Sequence, residues 1–149
     1  MHDSIKKIIA WTLHRLDMHS DDAVDMIFRT GMAESGYRAL EQTRGPAIGF
    51  FQVEPDTIKD TLDNYLAYRP HIKAIIDQLG FVDSDSNMSV MSSISLQVAF
   101  CRLKYRRDKH PLPKVGDLEG QAKYWKRVYN SELGKGTVEH FMEAIDGVL

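Results

Sequence analysis

Residues 31–57, GMAESGYRALEQTRGPAIGFFQVEPDT, interrupt an otherwise helical chain and limit how its two parts can meet. Gly36 suits a helix stop, Gly45, Pro46 and Gly49 let the backbone turn tightly, and Pro55 suits the first turn of a new helix. The segment reads as a helix end, an irregular or short hairpin stretch over 37–53, and a helix start. It also holds an oddity. Glu34 stands in the last turn before Gly36, where the unpaired carbonyls favour bases over acids.

On either side the pattern is helical. Apolar residues at 5, 8, 9, 13 and 16 mark a first helix over about 4–18. Ser20 then caps a second helix, with Asp21 and Asp22 in its first turn, running to about Ser35. A third helix runs from Pro55 to about Tyr68 and a fourth lies in HIKAIIDQLG. VDSDSNMS reads as a polar loop, and VMSSISLQVAFCRLKYRR as one long fifth helix. After the break HPLPKVGD come LEGQAKYWKRVYN and TVEHFMEAIDGVL, the last capped by Thr137. With no repeat and no linker, 149 residues predict one mainly α domain over 1–149 that can bury a real core.

Charge narrows the partners. A net charge of -2 gives no overall electrostatic reason to bind nucleic acid, so none is expected. No apolar run is long enough to span a membrane, and the amphipathic N-terminal stripe is not a signal peptide, so neither membrane insertion nor self-directed export is expected. Cys101 is the sole cysteine; it excludes an intramolecular disulfide and reads as a core filler.

On a helical wheel Ala23, Ile27, Thr30 and Glu34 share one face, so the acid points toward the protein or a cleft. Burial beside Tyr37, Phe50 or Phe51 and the negative helix end both disfavour its charged form and raise its pKa. A carboxyl group protonated near neutrality is what a general acid needs. The competing reading is an ion pair of Glu34 with Arg38 or Arg44. The residues that follow favour chemistry. Gln52 offers a donor and an acceptor suited to sugar hydroxyls and acetamido groups, and Phe50 and Phe51 offer flat faces.

ESGY followed by AIGFFQVEPDT resembles the lytic transglycosylase (SLT-type) and goose-type lysozyme group. That signature is Glu-Ser-Gly-aromatic, then Ala-x-Gly, two hydrophobic residues, Gln, a hydrophobic residue, x-Pro-x-Thr. Glu34, Ser35, Gly36 and Tyr37 match the first part; Ala47, Gly49, Phe50, Phe51, Gln52, Val53, Pro55 and Thr57 match the second. RVYNSELGKGTVEHF is similar to the family's Tyr-Asn segment, with Tyr129, Asn130, Gly134 and Gly136, though Val128 replaces an alanine and residues are inserted before the glycines. The resemblance implies a lysozyme-like helical fold and cleavage of the MurNAc-GlcNAc β-1,4 bond of peptidoglycan. It implies Glu34 as the acid/base and Ser35, Tyr37, Gly49, Phe51, Gln52, Tyr129 and Asn130 as substrate-binding residues. No cofactor and no metal is expected.

Two outcomes remain open. A lytic transglycosylase uses one glutamate and closes a 1,6-anhydro ring with the substrate's own 6-hydroxyl. A hydrolytic muramidase needs a second carboxylate about 5–9.5 Å from the first. Glu41, Glu54 and Asp56 are the candidates; the latter two are explained as first-turn helix acids, which leaves Glu41. Small size and the lack of a signal peptide or wall-binding module predict a bacteriophage enzyme. It would be made in the host cytoplasm and act on cell-wall peptidoglycan, as a holin-released endolysin or beside other virion proteins. The alternatives are a catalytically silent glycan-binding or virion structural module, and a nucleic-acid-binding helical protein using CRLKYRRDKH.

Other features read as structural. DSDSN at 83–87 begins like a calcium loop, but Met88 replaces its glycine and Ile94 its bidentate glutamate. The histidines lack metal-ligand spacing and read as surface residues. Trp11 is expected in the core, Tyr124 and Trp125 in the core or on the groove wall, and the basic residues 102–109 on a solvated helix face.

Overall fold

Serine caps and prolines set four of the helix starts. The computed structural model describes residues 1–38, 45–130 and 134–146, so Glu41 and Arg44 lie outside the described residues. Helix α1 (His2–Arg15) turns through Asp17, whose φ is 56°, into α2 (Asp21–Glu34). Ser20 Oγ caps α2 by accepting from the Ala23 N–H at 3.0 Å. Pro55 and Pro70 open α3 (Pro55–Asn64) and α4 (Pro70–Gln78) at positions where a missing N–H costs nothing. Then follow α5 (Ser86–Met91), α6 (Ile94–Arg106), α7 (Leu118–Tyr124) and α8 (Val138–Asp146). Thr137 caps α8, its Oγ1 accepting from His140 N–H at 3.0 Å.

Helix α6 is the axis of the molecule. From Leu96 to Leu103 every residue is buried, as expected of a helix surrounded by others. It packs against α1, α2, α3 and α5, while α8 closes the other side of α2 and lies against α7. A single hydrophobic cluster joins residues from α1 to α8, including Ile9, Ile27, Ile58, Ile76, Phe100 and Phe141.

Several boundaries differ from the sequence pattern for local reasons. The expected third helix stops at Asn64 and gives way to a 3-10 turn, Leu66–Tyr68. At the break the Arg69 guanidinium lies 3.8 Å over the Tyr65 ring and donates to the Tyr65 carbonyl at 3.2 Å. The expected long fifth helix is two helices. Ser93 adopts an extended conformation and caps α6 by accepting from Leu96 N–H at 3.1 Å. Buried Gln97 then donates to the Val90 and Met91 carbonyls, each at 3.0 Å, and so satisfies the end of α5. The expected polar loop forms a 3-10 turn, Asp83–Asp85, and the start of α5. Trp11, expected in the core, is 52% exposed and lies under the Arg15 guanidinium.

The stretch between α2 and α3 holds one antiparallel bridge, Ile48 with Val53, and no described residue belongs to a longer strand. Among the described residues no helix is long and apolar enough to cross a membrane.

Candidate active site

The end of α2 is built by close backbone fits. Gly36 takes φ 62° and its N–H reaches the Gly31 and Met32 carbonyls at 3.0 and 3.1 Å, which terminates the helix. Tyr37, at φ 60°, folds its ring back along α2, and its hydroxyl donates to the Phe28 carbonyl at 2.7 Å. Gly31 makes that possible, because any Cβ there would collide with the Tyr37 ring. Ser35 Oγ donates to the Phe50 carbonyl at 2.6 Å and accepts from Tyr37 N–H at 3.0 Å. One hydroxyl thus ties the helix end to the hairpin.

The hairpin is held from three sides. Ile48 and Val53 exchange hydrogen bonds of 3.0 Å, and Gln52 N–H closes the turn on the Gly49 carbonyl at 3.1 Å. Gly49, at φ 80°, lies so close to Gln97 that a Cβ would come within 2.8 Å of its side chain. Gln97 Oε1 accepts from Phe50 N–H at 2.9 Å, and the Tyr129 hydroxyl donates to the Phe51 carbonyl at 2.6 Å.

Glu34 stands half-buried beside this frame. The face predicted for it is correct: Ala23, Ile27 and Thr30 are buried in line beneath it. Its Oε2 accepts from Trp125 Nε1–H at 2.9 Å. Trp125 opens a π-helical turn, Trp125–Asn130, that continues α7, and Tyr129 and Asn130 come from the same turn. Burial pushes the Glu34 carboxyl up from 4.5 to about 7, against the lowering effects of the Trp125 hydrogen bond, Lys104 and His140. Lys104 is itself held below its ordinary value by burial, and its Nζ donates to the Tyr129 carbonyl at 2.6 Å and lies 4.3 Å over the Tyr129 ring. A ring nitrogen of His140 lies 2.9 Å from the Ala33 carbonyl. A carboxyl group that titrates near 7 can give a proton and take one back at neutral pH.

The expected substrate-binding residues separate into frame and rim. Phe51, Tyr37 and Tyr129 are buried, at 0%, 3% and 4% exposure, so their side chains do not present a face to substrate. Phe51 fills the core edge-on to Tyr37, and Tyr129 stacks on Tyr105 with centroids 5.1 Å apart. Gly49 is buried against Gln97, and Ser35 has spent its hydroxyl on the hairpin. Gln52 is half-buried, at φ 51°, and donates to the Gly49 carbonyl at 2.8 Å. Asn130 accepts from Lys126 Nζ at 2.9 Å and packs against Gly134 and Gly136. The alternative ion pair does not form with Arg38, and among the described residues Glu34 has no salt bridge.

The sequence places Trp125 in the core or on the groove wall but not as a donor to Glu34, and it singles out none of Lys104, His140 and Gln97 for the site. Trp125 is 91 positions from Glu34, and no periodicity joins the two. Lys104 falls inside the basic stretch 102–109 but lies on the opposite side of α6 from Arg102 and Arg106. Of the second-carboxylate candidates, Glu54 and Asp56 are exposed at the start of α3. Among the described residues no group of three or more His, Cys, Asp or Glu could hold a metal. Comparison of the chain with protein-family models, curated proteins and solved structures finds no match.

Proposed function

We propose that this protein is a lysozyme-like, peptidoglycan-cleaving enzyme, a lytic transglycosylase in which Glu34 acts first as acid and then as base. The observation that carries the reading is a half-buried glutamate titrating near 7 at a helix end, tied through its neighbour Ser35 to the Ala-x-Gly-Phe-Phe-Gln-Val hairpin. The family resemblance of ESGY and AIGFFQVEPDT supports the same residue for the same role.

Protonated Glu34 donates to the glycosidic oxygen between MurNAc and GlcNAc, and the C1–O bond breaks. The resulting carboxylate takes the proton of the MurNAc 6-hydroxyl as its oxygen bonds C1. The product is a 1,6-anhydro sugar, no water is consumed, and the carboxyl group is restored. Trp125 Nε1–H and Lys104 stabilise the carboxylate between the two transfers, and burial keeps it basic enough to recover a proton. Gln52 lies on the rim for contact with sugar hydroxyls, and the buried Phe51, Tyr37 and Tyr129 fix the hairpin from below. A phage-encoded protein acting on the cell wall from within or from the virion fits this reading.

Turbidity loss of purified peptidoglycan, measured with the native protein and with folded Glu34→Gln, tests it. The variant loses at least about 100-fold in rate, as expected when a general acid is removed. Equal rates in both proteins reject Glu34, and no activity in either favours a silent glycan-binding module. Mass analysis of the products gives anhydro-muramic ends; reducing ends alone reassign the protein as a hydrolytic muramidase.

A further inference from the structure

Helix α6 presents different chemistry on its two sides. Lys104 faces the Glu34 site, whereas Arg102 and Arg106, four residues apart, face a separate cavity of about 320 Å³. Tyr105, Asp108, Lys109, His110 and Tyr124 also line that cavity. The basic stretch was expected to be a solvated face, and Arg106 and Lys109 are exposed. Arg102 is not: it is only 7% exposed.

Among the described residues Arg102 has no counter-charge in salt-bridge range. Its Nε is sealed from solvent without a hydrogen-bond partner, and among the described residues no ion pair or hydrogen bond reaches the guanidinium. The Tyr124 hydroxyl on the same wall is also buried, makes no well-formed hydrogen bond, and has the Asp108 carboxylate as its neighbour. The carboxylate in the lining, Asp108, is committed elsewhere: it pairs with Arg127 at 3.2 Å and accepts from His110 N–H at 3.1 Å. The oxygen that accepts from His110 N–H also lies 3.2 Å from His110 Nδ1.

A buried cation without a partner is costly, and a guanidinium cannot escape by losing its proton. Only Nε is sealed off, so the terminal nitrogens open onto the cavity, where water or a ligand satisfies them. We propose that the cavity under α6 is an oxyanion site for a phosphoryl group, with the Arg102 fork and the Tyr124 hydroxyl as inner donors and Arg106 and Lys109 at the mouth. Arg presents paired N–H donors that match two oxygens of one phosphate. Burial, with Asp108 beside it as charge and acceptor, pushes the Tyr124 hydroxyl up to about 12, so it keeps its proton and turns from Asp108 to donate to a bound anion. The volume admits a small anion or one phosphate of a longer polymer. The site stands apart from Glu34 and does not rest on the proposed reaction.

Thermal unfolding and titration calorimetry of the full chain at fixed ionic strength test this, with inorganic phosphate, sodium acetate and a glycerol-phosphate polymer as separate probes. Inorganic phosphate produces a saturable rise in Tm and a saturable heat, and acetate does not. Arg106→Gln weakens phosphate binding at least tenfold, and Arg102→Met removes it. Arg102→Met also melts no lower than the native protein in phosphate-free buffer, because it removes an unpaired buried charge; a purely structural arginine gives the opposite shift. Binding of the polymer as well as the ion identifies a phosphodiester source; binding of the ion alone identifies free phosphate. An unsaturable response, an equal response to acetate, or unchanged affinity in Arg106→Gln overturns the proposal. That last comparison decides the matter even if Arg102→Met fails to fold.

Discussion

Glu34 and Arg102 are both ionisable groups drawn into the same helical core, one beside α2 and α7, the other on the far side of α6. They meet burial in different ways. The carboxyl group takes up a proton and so avoids its charge, with Trp125, Lys104 and His140 moderating the effect until it titrates near 7. The guanidinium keeps its charge and is left without a partner among the described residues. Burial therefore makes the acid a proton carrier and the base a binding group. The difference comes from the chemistry of the side chains rather than from their depth.

The sharpest way to break this contrast is Glu34→Gln, which keeps the shape and the acceptor for Trp125 but removes the proton. Beyond the loss of rate already described, the variant should gain stability at alkaline pH. The folded carboxyl titrates at about 7 and the unfolded one near 4.5, so the native state holds its proton longer. Native stability then falls as pH rises from 4.5 through 7, by on the order of 2–3 kcal/mol. Denaturant melts at pH 4.5 and pH 8 should show that fall in the native protein and its absence in the variant. A parallel fall in both proteins assigns it to another group.

Next in size is Gly49→Ala. It places a Cβ against Gln97 at a left-handed position and should cost about 1–3 kcal/mol in urea melts at any pH. A loss below about 0.5 kcal/mol would mean that the hairpin is not fixed from α6. Trp125→Phe then separates frame from chemistry. Removing a donor to the carboxylate raises the Glu34 pKa further, so the alkaline limb of kcat/KM moves up by about one pH unit. A limb that stays in place takes Trp125 out of the acid's environment. The smallest effect belongs to Trp11→Ser, which at this exposed position should change stability by less than about 0.5 kcal/mol.

Local signals were the legible ones. The Ser20 and Thr137 caps, the stop at Gly36 and the inward face carrying Glu34 all follow from spacing within a few residues. What stayed hidden depends on distant partners. The apolar pattern runs on through residues 90–98, and only the Ser93 cap and the Gln97 amide reveal that the helix is broken there. Tyr129 and Phe51 looked like sugar contacts because aromatics suit both a groove and a core; their burial decides for the core. Arg102 looked like one more cation of a wetted stretch, since sequence does not show that it is buried beside Tyr124 on one cavity wall.

The chain has two tryptophans, and they lie in opposite surroundings: Trp11 is half in water, while Trp125 is buried with its indole N–H on the Glu34 carboxyl group. Replacing Trp11 with phenylalanine therefore leaves a single tryptophan, selectively excitable above the tyrosine band, in direct contact with the titrating acid. Its emission should change as that acid ionises, so the protein carries a built-in optical readout of the proton, legible without substrate.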